Sequence, residues 1–263
     1  MAKVITFGIQ KGGVGKSTTS GIISYLLASE GFKTLVVDMD SQGNVTDLLT
    51  NMEPDEFAGQ TILEAFEEEN IKPYIHKVTD KLHVVPADDY LATLARLLYS
   101  NYKNRNISLA LNDLLEPIKD DYDFIIIDTP PSLSEPMVNA VCSSDYVVIL
   151  AESSKWAFTA IPRFMETVEY AKENVNPKVE IAGILRTMND VRRADSKAFV
   201  ELIGEEYSNL VFETIIRRKA ATGRIAIDGL FENKEIKEAL DQYILFYDEL
   251  KTRIGVNQNV QSK

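Results

Sequence analysis

Seven short runs of large apolar residues punctuate the chain, at 4–9, 34–37, 82–85, 124–127, 146–150, 181–185 and 210–212. They are dense in Val, Ile and Leu and lack the polar alternation of a half-solvated strand, which predicts strands covered on both faces. Between them, apolar residues recur at three- or four-residue spacing over 16–29, 61–69, 90–99, 107–119, 157–172, 196–206 and 233–254. That is the period of helices with one buried stripe. Strands and helices in alternation make βαβ units, so the predicted fold class is α/β, a mostly parallel twisted sheet flanked by helices on both faces. No internal repeat or low-complexity linker interrupts the pattern. The simplest organisation is one domain over 1–255 with a polar tail at 256–263.

The first strand leads into Gln10-Lys11-Gly12-Gly13-Val14-Gly15-Lys16-Ser17-Thr18, which opens the first helix. A buried strand, a glycine-rich turn and a helix start aim backbone N–H groups and a positive helix end at one point, where a phosphate chain is held. Gly12, Gly13, Val14, Gly15, Lys16, Ser17 and Thr18 are therefore candidate nucleoside-triphosphate-binding residues. Gly15-Lys16-Ser17 completes the P-loop pattern, while Gln10 stands where its first Gly belongs. In this pattern Lys16 reaches the β- and γ-phosphates, and the Ser17 hydroxyl ligates Mg²⁺. Lys11 has no place in the ordinary pattern and, read alone, is a solvated surface charge.

Two further strands end in carboxylates. Val37-Asp38-Met39-Asp40-Ser41-Gln42-Gly43-Asn44 follows the second, and Ile127-Asp128-Thr129-Pro130-Pro131 the fourth. Ligands of open α/β sheets bind at the carboxyl ends of the strands, so these groups and the phosphate loop should share one edge. Asp38 is expected near Mg²⁺, directly or through water, and Asp128 in the Mg²⁺ shell beside Ser17. Asp40 is expected to position the water that attacks the γ-phosphate. Strand-end Asp residues also serve as turn formers, which is the alternative for each taken alone. Pro130 and Pro131 stop their strand and stiffen the loop that follows.

Composition narrows the partners. The 263 residues carry a net charge of −12, which argues against a globally basic nucleic-acid binder. Only from Arg186 to Arg224 do eight basic residues outnumber six acidic ones. No apolar run reaches the length of a membrane span, and the N-terminus enters a strand without a leader pattern, so a cytoplasmic protein without membrane partners is expected. Cys142, the single cysteine, excludes an internal disulfide and is expected in the core.

Taken together, Lys11-Gly12-Gly13-Val14-Gly15-Lys16-Ser17-Thr18, Asp38-Met39-Asp40-Ser41-Gln42-Gly43-Asn44 and Asp128-Thr129-Pro130-Pro131-Ser132-Leu133 resemble, in this order, the ParA family of partition ATPases. These belong to the deviant Walker A P-loop group. The likeness extends from about Lys3 to Leu250, and the short segment before the loop matches the small Soj-like class. It implies an ATP-sandwich homodimer in which Lys11 crosses to the nucleotide of the other subunit, so that Lys11, Lys16 and Asp40 form the catalytic set. Gly183-Ile184-Leu185-Arg186-Thr187-Met188-Asn189-Asp190 is similar to the family's adenine-side strand and loop, which implies that Thr187, Met188 and Asn189 bind nucleotide. It further implies that the ATP-bound dimer coats double-stranded DNA without sequence preference, associates with the nucleoid, and is released when a ParB-type centromere-binding protein stimulates weak hydrolysis. Candidate DNA contacts are Arg192, Arg193, Arg217, Arg218, Lys219 and Arg224. This chain departs from the family's usual continuation after the late strand, and Arg218 is the one that aligns best.

The nearest alternative is a MinD-like ATPase on membranes, which would need an amphipathic C-terminal helix free for lipid. The stripe Ile244, Leu245, Tyr247, Leu250 and Ile254 is expected to pack in the core instead. A nitrogenase-iron-protein-like reductase lacks its cluster cysteines, and a metabolic ligase would need a second substrate pocket that no residue pattern marks. Trp156 and Phe158 are expected to pack at a helix start.

Overall fold

The computed structural model describes residues 1–103, 105–190, 194–219 and 236–256. Among these residues eight strands form one sheet in the order β3-β4-β2-β5-β1-β6-β7-β8. They are β1 Lys3–Gly8, β2 Thr34–Asp38, β3 His76–Lys77, β4 Leu82–Val85, β5 Phe124–Asp128, β6 Tyr146–Glu152, β7 Glu180–Asn189 and β8 Val211–Arg217. Every pairing is parallel except that of β3 with β4. All seven expected strands are present. The extra one, β3, is two residues long and too short to carry a period.

The described helices are α1 Lys16–Ser29, α2 Asn44–Thr50, α3 Ile62–Glu67, α4 Leu94–Asn101, α5 Ala110–Leu115, α6 Glu135–Cys142, α7 Lys155–Asn174, α8 Ala194–Glu206 and α9 Ile236–Arg253. The segments expected as helices at 90–99 and 107–119 mix α with 3₁₀ turns, at Asp89–Thr93, Ile107–Leu109 and Glu116–Asp121. The apolar spacing does not predict α6, nor α2, which borders the site described below.

Both faces of the sheet are covered, as the continuous Val/Ile/Leu runs require. All five residues of β5 are buried. On one face Phe7 meets Phe246 of α9 edge to face. On the other, Thr6 donates to the Ala140 carbonyl of α6, and Gly8 leaves no space for a β-carbon, which would lie 2.7 Å from Phe164 of α7. Cys142 is buried.

The C-terminal helix is fastened at two places. Near its end, Lys251 Nζ donates to both Glu30 carboxylate oxygens at 2.8 and 2.9 Å, and Tyr247 Oη donates to one at 2.8 Å. Glu30 caps α1, so the helix that begins at the phosphate loop is tied to α9. Along the outer edge of β8, Glu249 accepts the backbone N–H groups of Glu213 and Thr214, and Gln242 accepts that of Arg217. These bonds satisfy an edge strand that would otherwise offer free donors. Tyr243, Phe246, Tyr247, Leu250 and Ile254 are buried, whereas Ile244 and Leu245 are 43% and 62% exposed. The expected core stripe therefore holds for Tyr247, Leu250 and Ile254 and fails for Ile244 and Leu245, which lie on the solvent side of α9. Among the described residues no helix is long and apolar enough to cross a membrane.

Candidate functional site

Because β1 lies between β5 and β6, the loop that leaves it opens between the ends of two parallel neighbours. Gly13 and Gly15 take left-handed backbone angles, φ 74° and 86°, which side-chain-bearing residues rarely adopt. Gly15 is the N-cap of α1 and offers no side-chain cap, so the first N–H groups of that helix remain available to an anion. A cavity of about 350 Å³ opens there, lined by Gly12, Gly13, Gly15, Lys16, Ser17, Thr18 and Asp40 together with Gln42, Asn44, Asp47 and Pro131. Val14 is buried beneath the loop.

Lys16 is buried at 6% exposure, and its Nζ donates to the Lys11 carbonyl at 2.9 Å. Burial lowers its pKa, and the carboxylates of Asp128 and Asp40 pull it back up. An ammonium bonded to its own loop and facing two acids is ready to exchange those partners for phosphate. Asp40 also lines the cavity, and burial raises its pKa against the N–H of Gln42 and the charge of Lys16.

Asp38 and Asp128 are opposite one another in the β2–β5 register, both fully buried. Burial first, then the neighbouring Asp128, holds Asp38 well above the ordinary carboxylate range. Burial likewise raises Asp128 to about 6, with the Ser17 hydroxyl, Lys16 and Ser20 pulling the other way. Their partners separate them. Asp38 Oδ2 accepts the Thr46 N–H at 3.1 Å and the Thr46 hydroxyl at 2.7 Å, and its Oδ1 accepts the Asp40 N–H at 3.0 Å. These bonds tie Asp38 to α2 and to the Asp40 loop, opposite Asp128 in the register. Asp128 Oδ1 accepts from Ser20 at 2.9 Å, while Oδ2 is buried without a hydrogen-bond partner among the described residues.

That orphaned oxygen, beside the Ser17 hydroxyl at the mouth of a phosphate loop, fits a hard divalent cation such as Mg²⁺. No group of three or more His, Cys, Asp or Glu side chains suited to a metal occurs among the described residues. Mg²⁺ commonly takes one or two protein oxygens plus phosphates, so the donor set suits a metal arriving with a nucleotide.

Lys11 lies on the outer lip. Its Nζ forms an ion pair with Glu152, at the end of β6, and donates to Ser154 Oγ at 2.8 Å. Ser154 is also the N-cap of α7, accepting the Ala157 N–H. Lys11 is thus a held charge rather than a free surface one. The sequence reading assigns no role to Glu152 or Ser154. The signal was available, because Glu152 ends the strand next to β1, as Asp128 does on the other side.

Other expected residues are placed less directly. Thr187 is buried and donates its hydroxyl to the Val14 carbonyl at 2.8 Å, tying β7 to the phosphate loop. Met188 and Asn189 end β7, and their side chains lie outside the described residues, as do Arg192, Arg193 and Arg224. Arg217 and Arg218 are exposed at the end of β8. Lys219 instead bonds both Asp241 oxygens at 2.6 and 2.7 Å, which neutralises part of the expected basic cluster. The cluster lies three strands from β1 on the same sheet edge, about 14 Å at ordinary strand spacing. Contrary to expectation Trp156 does not pack and is 75% exposed, whereas Phe158 packs beside Tyr207. Asp47, at the start of α2, lines the phosphate cavity and was not singled out, because no pattern predicts that helix.

Residues 2–181 match the family described as AAA domain. The chain is 36% identical over 220 residues to the chromosome partitioning protein ParA of Myxococcus xanthus, covering 83% of this chain and 76% of that one. A plasmid partition protein of Borrelia burgdorferi, bound to AMPPNP, superposes with a TM-score of 0.77 at 27% identity, covering 97% of this chain and 98% of that one. Cobyrinic acid a,c-diamide synthase of Mycobacterium smegmatis, with a bound ATP analogue and magnesium, reaches 0.76 at 27% identity over 86% and 91%. With its two loop lysines, its strand-end aspartates and this likeness over most of its length, the chain belongs to the ParA family of partition ATPases.

Proposed function

We propose that this chain is a Mg²⁺-dependent ATPase whose ATP-bound dimer binds DNA without sequence preference and is released when a ParB-type partner stimulates hydrolysis. The observation that carries this reading is the pair of lysines on one loop, Lys16 turned into the phosphate cavity and Lys11 held on its rim by Glu152 and Ser154.

In this reading the N–H groups of the loop and Lys16 bind the β- and γ-phosphates, and Ser17 and Asp128 hold the cation. When bound, that cation neutralises charge on the phosphates as the γ-phosphoryl transfers. Asp40, lining the cavity, orients the attacking water. Lys11 leaves Glu152 and reaches the nucleotide of the second subunit, so that dimerisation and ATP binding become one linked equilibrium. Thr187, Met188 and Asn189 border the adenine side, with Thr187 acting through its bond to Val14. Arg217 and Arg218 supply phosphate contacts to DNA, joined by Arg192, Arg193 and Arg224, with Lys219 contributing only if it leaves Asp241.

A membrane-directed role is disfavoured by α9, which spends Tyr243, Phe246, Tyr247 and Leu250 on the protein interior. The test is ATP hydrolysis measured alone, with DNA, and with DNA plus the product of a neighbouring small DNA-binding gene. Slow turnover that rises only when both are present is expected. Fast turnover with ATP alone would count against a partition switch.

A further inference from the structure

The end of β8 carries three cations in succession, Arg217, Arg218 and Lys219, and their surroundings differ. Arg217 and Arg218 are exposed, and among the described residues no ion pair holds either guanidinium. The ammonium of Lys219 instead donates to both carboxylate oxygens of Asp241 on α9, at 2.6 and 2.7 Å, and Asp241 Oδ1 also accepts the Gln242 N–H at 2.6 Å. We propose that Asp241 is an internal competitor for DNA: its carboxylate takes the place of a backbone phosphate on Lys219 and holds the affinity of this face below what three cations would give. The proposal deepens the DNA-binding reading above and rests on it.

Stability does not account for this contact. Gln242 already fastens α9 to the end of β8 by accepting the Arg217 N–H at 2.8 Å, and Glu249 does so along the strand by accepting those of Glu213 and Thr214. Tyr243, Phe246, Tyr247 and Leu250 of the same helix are buried in the core. The Lys219 and Asp241 side chains are 25% and 55% exposed, and an ion pair open to water adds little to a helix held in these ways. Its effect falls on charge, because one carboxylate cancels one of the three cations offered to a polyanion.

A carboxylate and a phosphodiester offer an ammonium the same partner, anionic oxygen at hydrogen-bond distance, so each excludes the other at Lys219. Because the pair is at the surface, a phosphate can displace Asp241 without opening the core. Because the Gln242 N–H holds Oδ1, the displaced carboxylate stays beside the lysine and recloses on it when DNA leaves. Each phosphate contact contributes about 0.9 to the slope of log affinity against log salt. The contact that Asp241 withholds is therefore worth roughly eightfold in affinity for each subunit at about 0.1 M salt, relative to 1 M. A face held at two such contacts instead of three dissociates from DNA sooner.

The test is filter binding of the full chain to mixed-sequence double-stranded DNA over a salt series, with Mg²⁺ and a non-hydrolysable ATP analogue. Asp241→Asn should bind about eightfold more tightly for each subunit engaged at about 0.1 M salt, and its slope should steepen by about 0.9 for each. Adding Lys219→Met should return both values to those of the natural chain, because the gain comes from the freed lysine. A double variant that stays as tight as Asp241→Asn overturns the competitor in favour of general charge repulsion. Unchanged or weaker binding by Asp241→Asn, while Arg217→Ala/Arg218→Ala still weakens binding, also overturns it and leaves the DNA reading standing. Natural and variant chains that all fail to bind DNA with the analogue defeat both.

Discussion

If the chain dimerises through Lys11 as proposed, the ion pair between Lys11 and Glu152 sets a measurable barrier to that step. Their side chains are 22% and 34% exposed, so the pair is neither buried nor freely solvated. Screening keeps such a pair near the upper end of surface values, about 1 kcal/mol for each subunit. If Lys11 must leave Glu152 to reach the nucleotide of the other subunit, a symmetric dimer gives up two such pairs, about 2 kcal/mol, or about 30-fold in the dimer constant. Glu152→Gln keeps the shape and removes the charge, while Ser154 still accepts from Lys11. The variant should dimerise about 30-fold more tightly than the natural chain with Mg²⁺ and a non-hydrolysable ATP analogue, measured by sedimentation velocity over a protein dilution series. The gap should narrow as salt rises, because screening weakens the contact being removed. Equal or weaker dimerisation of the variant would show that Glu152 does not hold Lys11 back.

Lys11→Ala should bind a fluorescent ATP analogue within a few-fold of the natural chain yet show neither ATP-dependent dimers nor hydrolysis; dimers that persist would remove the trans role. Arg217→Ala/Arg218→Ala should weaken DNA binding equally for all sequences and lower the slope of log affinity against log salt by about 2 for each subunit engaged, read by filter binding; an unchanged slope would move the contact elsewhere. Asp128, raised by burial to about 6 from an ordinary 3.8, holds its proton more tightly folded than unfolded. Its contribution to stability is therefore full below about pH 4 and is lost as pH climbs through about 6. Asp128→Asn should flatten the melting temperature against pH across that window, and parallel curves would refute the assignment.

What could be read in the sequence followed from how each element is stabilised. Strands buried on both faces carry their own signature, and β1, β2, β4, β5, β6, β7 and β8 were legible for that reason. The start of α2 has no local signature. Its N-cap is Gly43, and the group that fixes its first turn is the carboxylate of Asp38, six residues before the helix, which accepts the Thr46 N–H. A helix held by a tertiary carboxylate has little need of a strong apolar period. The eight residues of α6 begin with Glu135-Pro136, and proline suits a first helical turn as well as it suits a loop, so the sequence did not distinguish the two. Missing α2 hid Asp47, in its first turn, which lines the phosphate cavity.

The same limit applies to the site. A carboxylate at a strand end beside the phosphate loop marks a position, and three such groups flank this one: Asp38 on β2, Asp128 on β5 and Glu152 on β6. Their chemistry is decided by what surrounds them. Three donors reach Asp38 and tie it to α2 and the Asp40 loop. One oxygen of Asp128 is bonded and the other is buried without a partner, which suits it to a cation. Glu152 faces the ammonium of Lys11. Sequence identifies the acids but not the donors around them, because those donors come from Thr46, Ser20 and Lys11, remote in the chain or on a helix with no pattern of its own. The count of donors on each carboxylate, more than its place in a motif, separates the three.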